Sequence, residues 1–278
     1  MSLHFDRYEY AGTGDSGSPL LLIHGWGMHG GMWRGVAERL AQHVDVLAVD
    51  LPGHGYSAVN SKWEVASRKT SPHLPLTTPH LLLDSIVDQL SAQFDQPLTL
   101  CGWSLGGQVA LRWAMRHPQQ VQRLMLVAST PCFVRRPDWA HGMSAELLGE
   151  FGAALQQNHA LTLKRFLALQ LRGGEQEREL LGVLRDTLFS RGEPDLNALQ
   201  VGLEILRTCD LRSTLPSITQ PALILAGGRD TLAPLQASQY MAQQMPGAGL
   251  VNIAGAAHAP FLSHADEFID HMLRFLRE

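Results

Sequence analysis

Leu98-Thr99-Leu100-Cys101-Gly102-Trp103-Ser104-Leu105-Gly106-Gly107-Gln108-Val109-Ala110-Leu111 is the stretch on which the fold turns. Its first four residues read as a buried strand, and from Leu105 to His117 the apolar residues recur at helical spacing. Between the two stands G-x-S-x-G, with no room for a loop. A strand that passes directly into a helix needs a tight turn, and small residues two before and two after the serine are required because the backbones crowd there. Such a turn lifts the Ser104 hydroxyl above the sheet edge, and the helix N-terminus behind it offers N–H groups to a developing oxyanion. A chance G-x-S-x-G string is the alternative, and the strand before it and helix after it speak against that.

Outward from this stretch, short apolar runs bounded by turn residues recur: Leu20 to Ile23, Val44 to Val49 and Leu124 to Val127. They read as strands buried on both faces. A segment of helical period from Leu81 to Phe94 lies between them, and strand-helix alternation predicts an α/β fold with a mostly parallel sheet flanked by helices. From about Ser144 to Leu206 the alternation stops. Leu147, Phe151 and Leu155, then Phe166 and Leu169, then Leu180, Leu184 and Leu188 fall at helical spacing, which predicts an all-helical insertion. Alternation resumes at Ala222 to Ala226 and Leu250 to Ile253 and ends in a helix from Ala265 to Arg277. The expected division is a core of residues 1–133 and 208–278 with a helical cap over 134–207. Ala58 to Pro79, polar with scattered Pro and Ser, reads as a surface loop.

A serine hydroxyl needs a base within hydrogen-bond reach to act as a nucleophile near neutral pH. Two residues fall just beyond later strands, at the same sheet edge as Ser104: Asp230 in Gly227-Gly228-Arg229-Asp230, and His258 in Ala256-Ala257-His258-Ala259-Pro260-Phe261. The order Ser, Asp, His fits an orienting acid followed by a general base. Taken singly, Asp230 also reads as a turn or helix-cap aspartate and His258 as a surface histidine. Asp210 precedes its nearest strand and His264 reads as a cap of the final helix, so both rank behind. Upstream, His24-Gly25-Trp26-Gly27 closes the first core strand, and a backbone N–H of Trp26, with that of Leu105, would complete an oxyanion hole. Core packing is the competing reading for the Trp26 side chain. Asp50 to Ser57 reads as a structural turn.

A net charge of −4 gives no basic face for nucleic acid. No apolar run is long enough to span a bilayer, and the first residues lack the basic and apolar regions of a secretory signal, so a cytoplasmic protein is expected. Cys101, Cys132 and Cys209 have no metal-ligand spacing and read as three buried thiols of a reducing compartment. The histidines do not cluster as metal ligands do.

Together the elbow, the Asp230 and His258 positions and the interrupted alternation resemble the α/β-hydrolase superfamily over nearly the whole chain. Further strings are similar to the carboxylesterases of biotin synthesis that act on pimeloyl-acyl-carrier-protein methyl ester: Thr130-Pro131-Cys132-Phe133, Arg165-Phe166-Leu167-Ala168-Leu169-Gln170 and Gly202-Leu203-Glu204-Ile205-Leu206. The resemblance implies that Trp26, Ser104, Leu105, Phe166, Leu167, Ala168, Leu169, Gln170 and His258 border the acyl chain or its ester. It implies that Arg165 and Arg178 meet an acidic acyl-carrier protein, a solvated helix face being the competing reading of each. It further implies a monomer with no metal or organic cofactor. His29 departs from the asparagine more usual at that place, and the segment from Ala58 to Pro79 is longer than in these relatives. A general short-chain esterase, lactonase or C–C hydrolase on the same scaffold is the first competing expectation. A non-catalytic receptor is the second.

Overall fold

The computed structural model describes residues 3–13, 17–57, 80–175 and 177–278, so the polar segment from 58 to 79 lies outside the described residues. Seven strands form one sheet among them: β1 (Phe5–Tyr8), β2 (Leu20–Ile23), β3 (Val46–Val49), β4 (Leu98–Trp103), β5 (Val121–Val127), β6 (Ala222–Gly227) and β7 (Ala248–Ile253). Their order is β1-β3-β2-β4-β5-β6-β7. Only β1 runs antiparallel, against β3; every other pairing is parallel. Strands β2, β4 and β6 are buried at every residue, as expected of a sheet covered on both faces.

The covering helices are α1 (Arg34–Leu40), α2 (Leu81–Ser91), α3 (Leu105–Arg116), α8 (Leu235–Gln244) and α10 (Ala265–Arg277), with the single turn α9 (Pro260–Ser263) before the last. Helix α1 packs on α10, α2 on α3, and α8 on β6 and β7. In α10, Phe268, Ile269, Met272 and Phe275 are buried while acidic residues occupy the first turn and arginines the last, an amphipathic pattern that also complements the helix dipole.

The chain departs from the sheet after β5 and returns beside its point of departure. Cys132 pairs with Asp210 in an isolated antiparallel bridge, and Leu211 N–H donates to Pro131 C=O at 2.8 Å. Between these points lie four helices: α4 (Ala145–Gln157), α5 (His159–Leu171), α6 (Glu177–Leu188) and α7 (Leu196–Thr208). Ser144, Asn158 and Asp195 cap α4, α5 and α7 through side-chain oxygens, each satisfying N–H groups that have no intrahelical partner. Their buried rows, Leu163, Phe166 and Leu167 in α5 and Leu199, Leu203 and Leu206 in α7 among them, join the core of the sheet rather than forming a separate one.

Topology places the site. From β2 the chain steps outward to β3, then crosses back over β2 to β4. The segments leaving β2 and β4 therefore diverge, and the crevice at such a reversal is where open parallel sheets bind ligands. The residues after β2 are His24 to Gly27, and the residue after β4 is Ser104.

Candidate active site

Ser104 has φ 55° and ψ −116°, a conformation costly to a residue with a side chain. The sequence permits it by leaving out two Cβ atoms. One added to Gly102 would lie 2.2 Å from Gly106 O, and one added to Gly106 would lie 2.4 Å from Ile23 O. Both obstacles are backbone and have nowhere to move. Gly106→Ala is thus expected to destabilise the fold by at least the 1–3 kcal/mol typical of overpacking, about what one overfilled core site costs. A urea midpoint unchanged from the parent protein would contradict this account of the elbow.

The two residues expected to serve Ser104 converge on it. His258 Nε2 lies 2.9 Å from Ser104 Oγ, and His258 Nδ1 lies 2.8 Å from Asp230 Oδ2. A carboxylate oxygen is an acceptor only, so Nδ1 carries the proton and Nε2 is left with its lone pair toward the hydroxyl. The Asp230 carboxylate is itself fastened: its Oδ1 accepts N–H bonds from Leu232 at 2.8 Å and Ala233 at 3.0 Å. The oxygen that shapes the turn thus leaves the other aimed at the imidazole. His258 is held from two sides, its N–H donating to Gln170 C=O at 3.0 Å and its C=O accepting from Trp103 Nε1 at 2.7 Å. It is buried at 1 % exposure, so the surface reading is excluded by its position.

The turn after β2 runs alongside. A Cβ on Gly25 would sit 3.3 Å from the Cβ of Ser104, so the backbone there approaches the hydroxyl closely. The N–H of Trp26 and that of Leu105, the first residue of α3, are bonded to no acceptor among the described residues. The Trp26 ring packs into the insertion, edge-on to Phe166 with centroids 4.8 Å apart, and its Nε1 donates to Leu199 C=O at 2.9 Å.

Buried histidines brace this turn. His24 donates from Nδ1 to Gly25 C=O at 2.8 Å and accepts from Leu51 N–H at Nε2, 2.9 Å away. His54 lies beside it, with ring centroids 5.2 Å apart, and donates from Nδ1 to Pro52 C=O. Burial pushes His24 well below its ordinary value, with His54 adding to the effect, and burial brings His54 down to about 4. In the unfolded chain both would take up protons below about 6.5. The folded state binds fewer protons between that value and about 4, so its stability is full above pH 6.5 and falls as pH drops through this window. For His54 alone the loss amounts to roughly 3 kcal/mol. Urea midpoints at pH 7 and 4.5 should diverge in the parent protein and diverge less in His54→Gln; equal divergence would assign the acid sensitivity elsewhere.

His29, read above as a departure from the asparagine that the resemblance implies at that place, accepts from Gly31 N–H at Nδ1 and donates from Nε2 to Thr187 C=O of α6 at 2.8 Å. The shorter asparagine could make the first bond and not the second.

Of the residues expected to border a substrate, Phe166, Leu167 and Gln170 are buried, and Ala168 and Leu169 are half-buried, on α5. A crevice of about 160 Å3 borders Ser104, walled by Ala128, Thr130 and Phe133 from beyond β5 and by Leu206 of α7. Arg165 and Arg178 are exposed and have no ion-pair partner among the described residues. The runner-up acid Asp210 is engaged by Arg212, and the runner-up histidine His264 precedes α10 without capping it, its Nδ1 meeting Ser263 Oγ instead. Among the described residues no His, Cys, Asp and Glu group could hold a metal ion, and no helix is long and apolar enough to cross a membrane.

The model of the α/β hydrolase fold family matches residues 18–265. A pimeloyl-[acyl-carrier protein] methyl ester esterase of Nitrosomonas europaea is 43 % identical over 258 residues, covering 92 % of this chain and 95 % of that protein. Among solved structures, an esterase from Exiguobacterium antarcticum superposes with a TM-score of 0.82 at 21 % identity, covering 99 % of this chain and 96 % of that one. An enol-lactonase from Burkholderia xenovorans superposes with a TM-score of 0.80 at 22 % identity, covering 99 % and 96 %. At those identities the two structures speak to the fold alone.

Proposed function

Since the chain belongs to the α/β-hydrolase family, and within it to the pimeloyl-[acyl-carrier protein] methyl ester esterases, we propose that it is a serine carboxylesterase that removes the methyl group from pimeloyl-acyl-carrier protein in biotin synthesis. The observation that carries the chemistry is the continuous relay from Asp230 Oδ2 through the His258 ring to Ser104 Oγ, with bonds of 2.8 and 2.9 Å. The substrate is supported by the 43 % identity to an esterase so named.

In this reading Ser104 Oγ attacks the ester carbonyl as His258 Nε2 takes its proton, and Asp230 stabilises the imidazolium. The N–H groups of Trp26 and Leu105 receive the oxyanion. Collapse breaks the bond to the methoxy oxygen, which takes the proton from His258 and leaves as methanol. Water then gives a proton to His258 and adds to the acyl carbon; the second collapse returns the proton to Ser104 and frees the pimeloyl carboxylate. Only protein groups and water take part, so the steps call for no metal or organic cofactor.

Residues 134–207 act as a cap over a core made of 1–133 and 208–278. Trp26 and the α5 segment of Phe166, Leu167, Ala168, Leu169 and Gln170 line the acyl channel, and Arg165 and Arg178 face the acidic carrier. The acyl chain enters past Phe133 and Leu206, which wall the crevice beside Ser104. The enzyme works in the cytoplasm as a monomer.

The test is complementation of a biotin-requiring strain that lacks its own esterase, together with rates on pimeloyl-acyl-carrier-protein methyl ester and on p-nitrophenyl esters. Growth, and a clear preference for the carrier-linked ester, are expected. Indifference to the carrier-linked ester would replace the reading with a general esterase, and reversing charge at Arg165 and Arg178 should raise KM for the carrier-linked ester alone.

A further inference from the structure

Arg191 lies in the turn between α6 and α7, and its guanidinium enters the core. Its Nη1 donates to both carboxylate oxygens of Asp50 at 3.1 Å, its Nη2 donates to Asp6 of β1, and its plane lies over the Tyr56 ring at 5.0 Å. The Asp50 side chain is fully buried, and that of Arg191 is 12 % exposed. A buried carboxylate needs a counter-charge and a full set of donors. Asp50 draws its donors from Arg191 and from two backbone groups: Gly30 N–H at 2.6 Å to Oδ1 and Tyr56 N–H at 2.8 Å to Oδ2.

Gly30 is the important partner, because it ends the turn that begins at His24. The cap grips that turn twice, once at Gly30 through Asp50 and Arg191, and once at His29, whose Nε2 meets Thr187 C=O and Ser190 Oγ. The same cap turn is tied to the loop after β3 by Asp195 N–H, which donates to Gly53 C=O at 2.9 Å. Between the grips and Trp26 stand only Gly27, at φ 73°, and Met28. Anything that lets Gly30 drift is thus passed through His29, Met28 and Gly27 to the amide of Trp26.

We propose that Arg191 is a positioning residue that transmits the seating of the cap, through Asp50 and Gly30, to the Trp26 N–H. The inference rests on the reading of that N–H as an oxyanion donor. It makes catalytic competence contingent on cap docking: when the α6–α7 turn lifts, Asp50 loses its fork of donors and the oxyanion site loosens; when the turn reseats, the site is re-formed.

The test uses p-nitrophenyl acetate, a substrate too short to need the acyl channel or a carrier. Arg191→Met should lower kcat by between about tenfold and a hundredfold, the scale of a small misplacement at the reacting centre, with KM little changed. Affinity for a trifluoromethyl ketone, which mimics the tetrahedral adduct, should fall in parallel with kcat/KM. Arg191→Lys keeps the charge without the planar fork and should fall between the two. The double variant Arg191→Met with Asp50→Asn removes the unpaired charge at position 50, but its single side-chain oxygen can serve only one of the Gly30 and Tyr56 N–H groups, so its denaturation midpoint should lie between those of the single variant and the parent while the kcat defect persists. It also decides the matter if the single variant fails to fold. A double variant with native kcat would overturn the proposal, leaving Arg191 a counter-ion and nothing more. Ser104→Ala run alongside keeps the two readings apart, because residual activity there would indict the nucleophile rather than Arg191.

Discussion

Ester hydrolysis by Ser104→Ala is expected to fall by about a millionfold in kcat, the loss seen when the nucleophile of a serine triad is removed. No neighbouring hydroxyl stands in for it. Ser129, which also lines the crevice, donates its Oγ–H to Ser104 C=O at 2.9 Å and so points at the backbone of the elbow, not at the imidazole. The fold should survive, since alanine adds no atom to a site that already holds a Cβ at φ 55°. Ser104→Gly sharpens the prediction. Relief of a strain worth roughly 1–3 kcal/mol outweighs the roughly 0.5–1 kcal/mol that glycine loses in backbone freedom. The glycine variant should therefore melt above the alanine variant while both are inactive. Rates on a p-nitrophenyl ester, fluorophosphonate labelling and thermal melts of the three proteins check this. Appreciable turnover by either variant would remove Ser104 from the reaction, and a glycine variant no more stable than alanine would show that the elbow stores no strain.

The tight turn at Ser104 is legible in the sequence because it is written in local chemistry: two glycines at fixed offsets from a serine, between a strand and a helix. Asp230 and His258 were legible for a different reason. Each follows an apolar run by a few residues, and in a parallel sheet all such positions share one edge. Less local features left weaker traces. Strand β1 went unread because Phe5-Asp6-Arg7-Tyr8 is a half-buried edge strand with two charges and no apolar run. Strand β3 begins at Val46 rather than Val44, and Asp45 carboxylate there accepts from Tyr10 N–H at 2.8 Å instead of extending the apolar face. Helix α2 stops at Ser91, three residues before the apolar period ends at Phe94, and the period continues because Phe94 still packs, edge-on to Phe5.

The helical insertion shows the limit most clearly. Helical spacing marks out α4, α5 and α6, and among the described residues the structure has a fourth helix, α7, between β5 and β6. Nothing in a helical period says which residue will reach the core. Arg191 and Asp50 are 141 residues apart and belong to no common motif. Asp50 read as part of a structural turn, and it does brace one through Tyr56 N–H; its second role appears only when a guanidinium from the cap is found against it. A full charge at zero exposure must have a partner, but from sequence alone neither the burial nor the partner can be known.

Asp230→Asn is expected to lower kcat by about ten-thousandfold with the geometry of the site intact, an effect that a merely electrostatic role would not produce. The reason lies in how the carboxylate is already bonded. Its Oδ1 accepts N–H groups of Leu232 and Ala233, so an asparagine must keep its carbonyl oxygen there and present its NH2 group to His258 Nδ1. An NH2 group can only donate. The imidazole must then accept at Nδ1, which moves its proton to Nε2, where it faces Ser104 Oγ and bars proton transfer from the hydroxyl. The base is present, well placed and in the wrong tautomer. Two observations separate this from simple loss of charge. Rates should rise with hydroxide concentration, because hydroxide can take the Ser104 proton in place of the blocked base, and Asp230→Ala, which imposes no tautomer, should be less impaired than Asp230→Asn once differences in folding are measured. An asparagine variant within about tenfold of the parent would mean that Asp230 does not set the tautomer of His258.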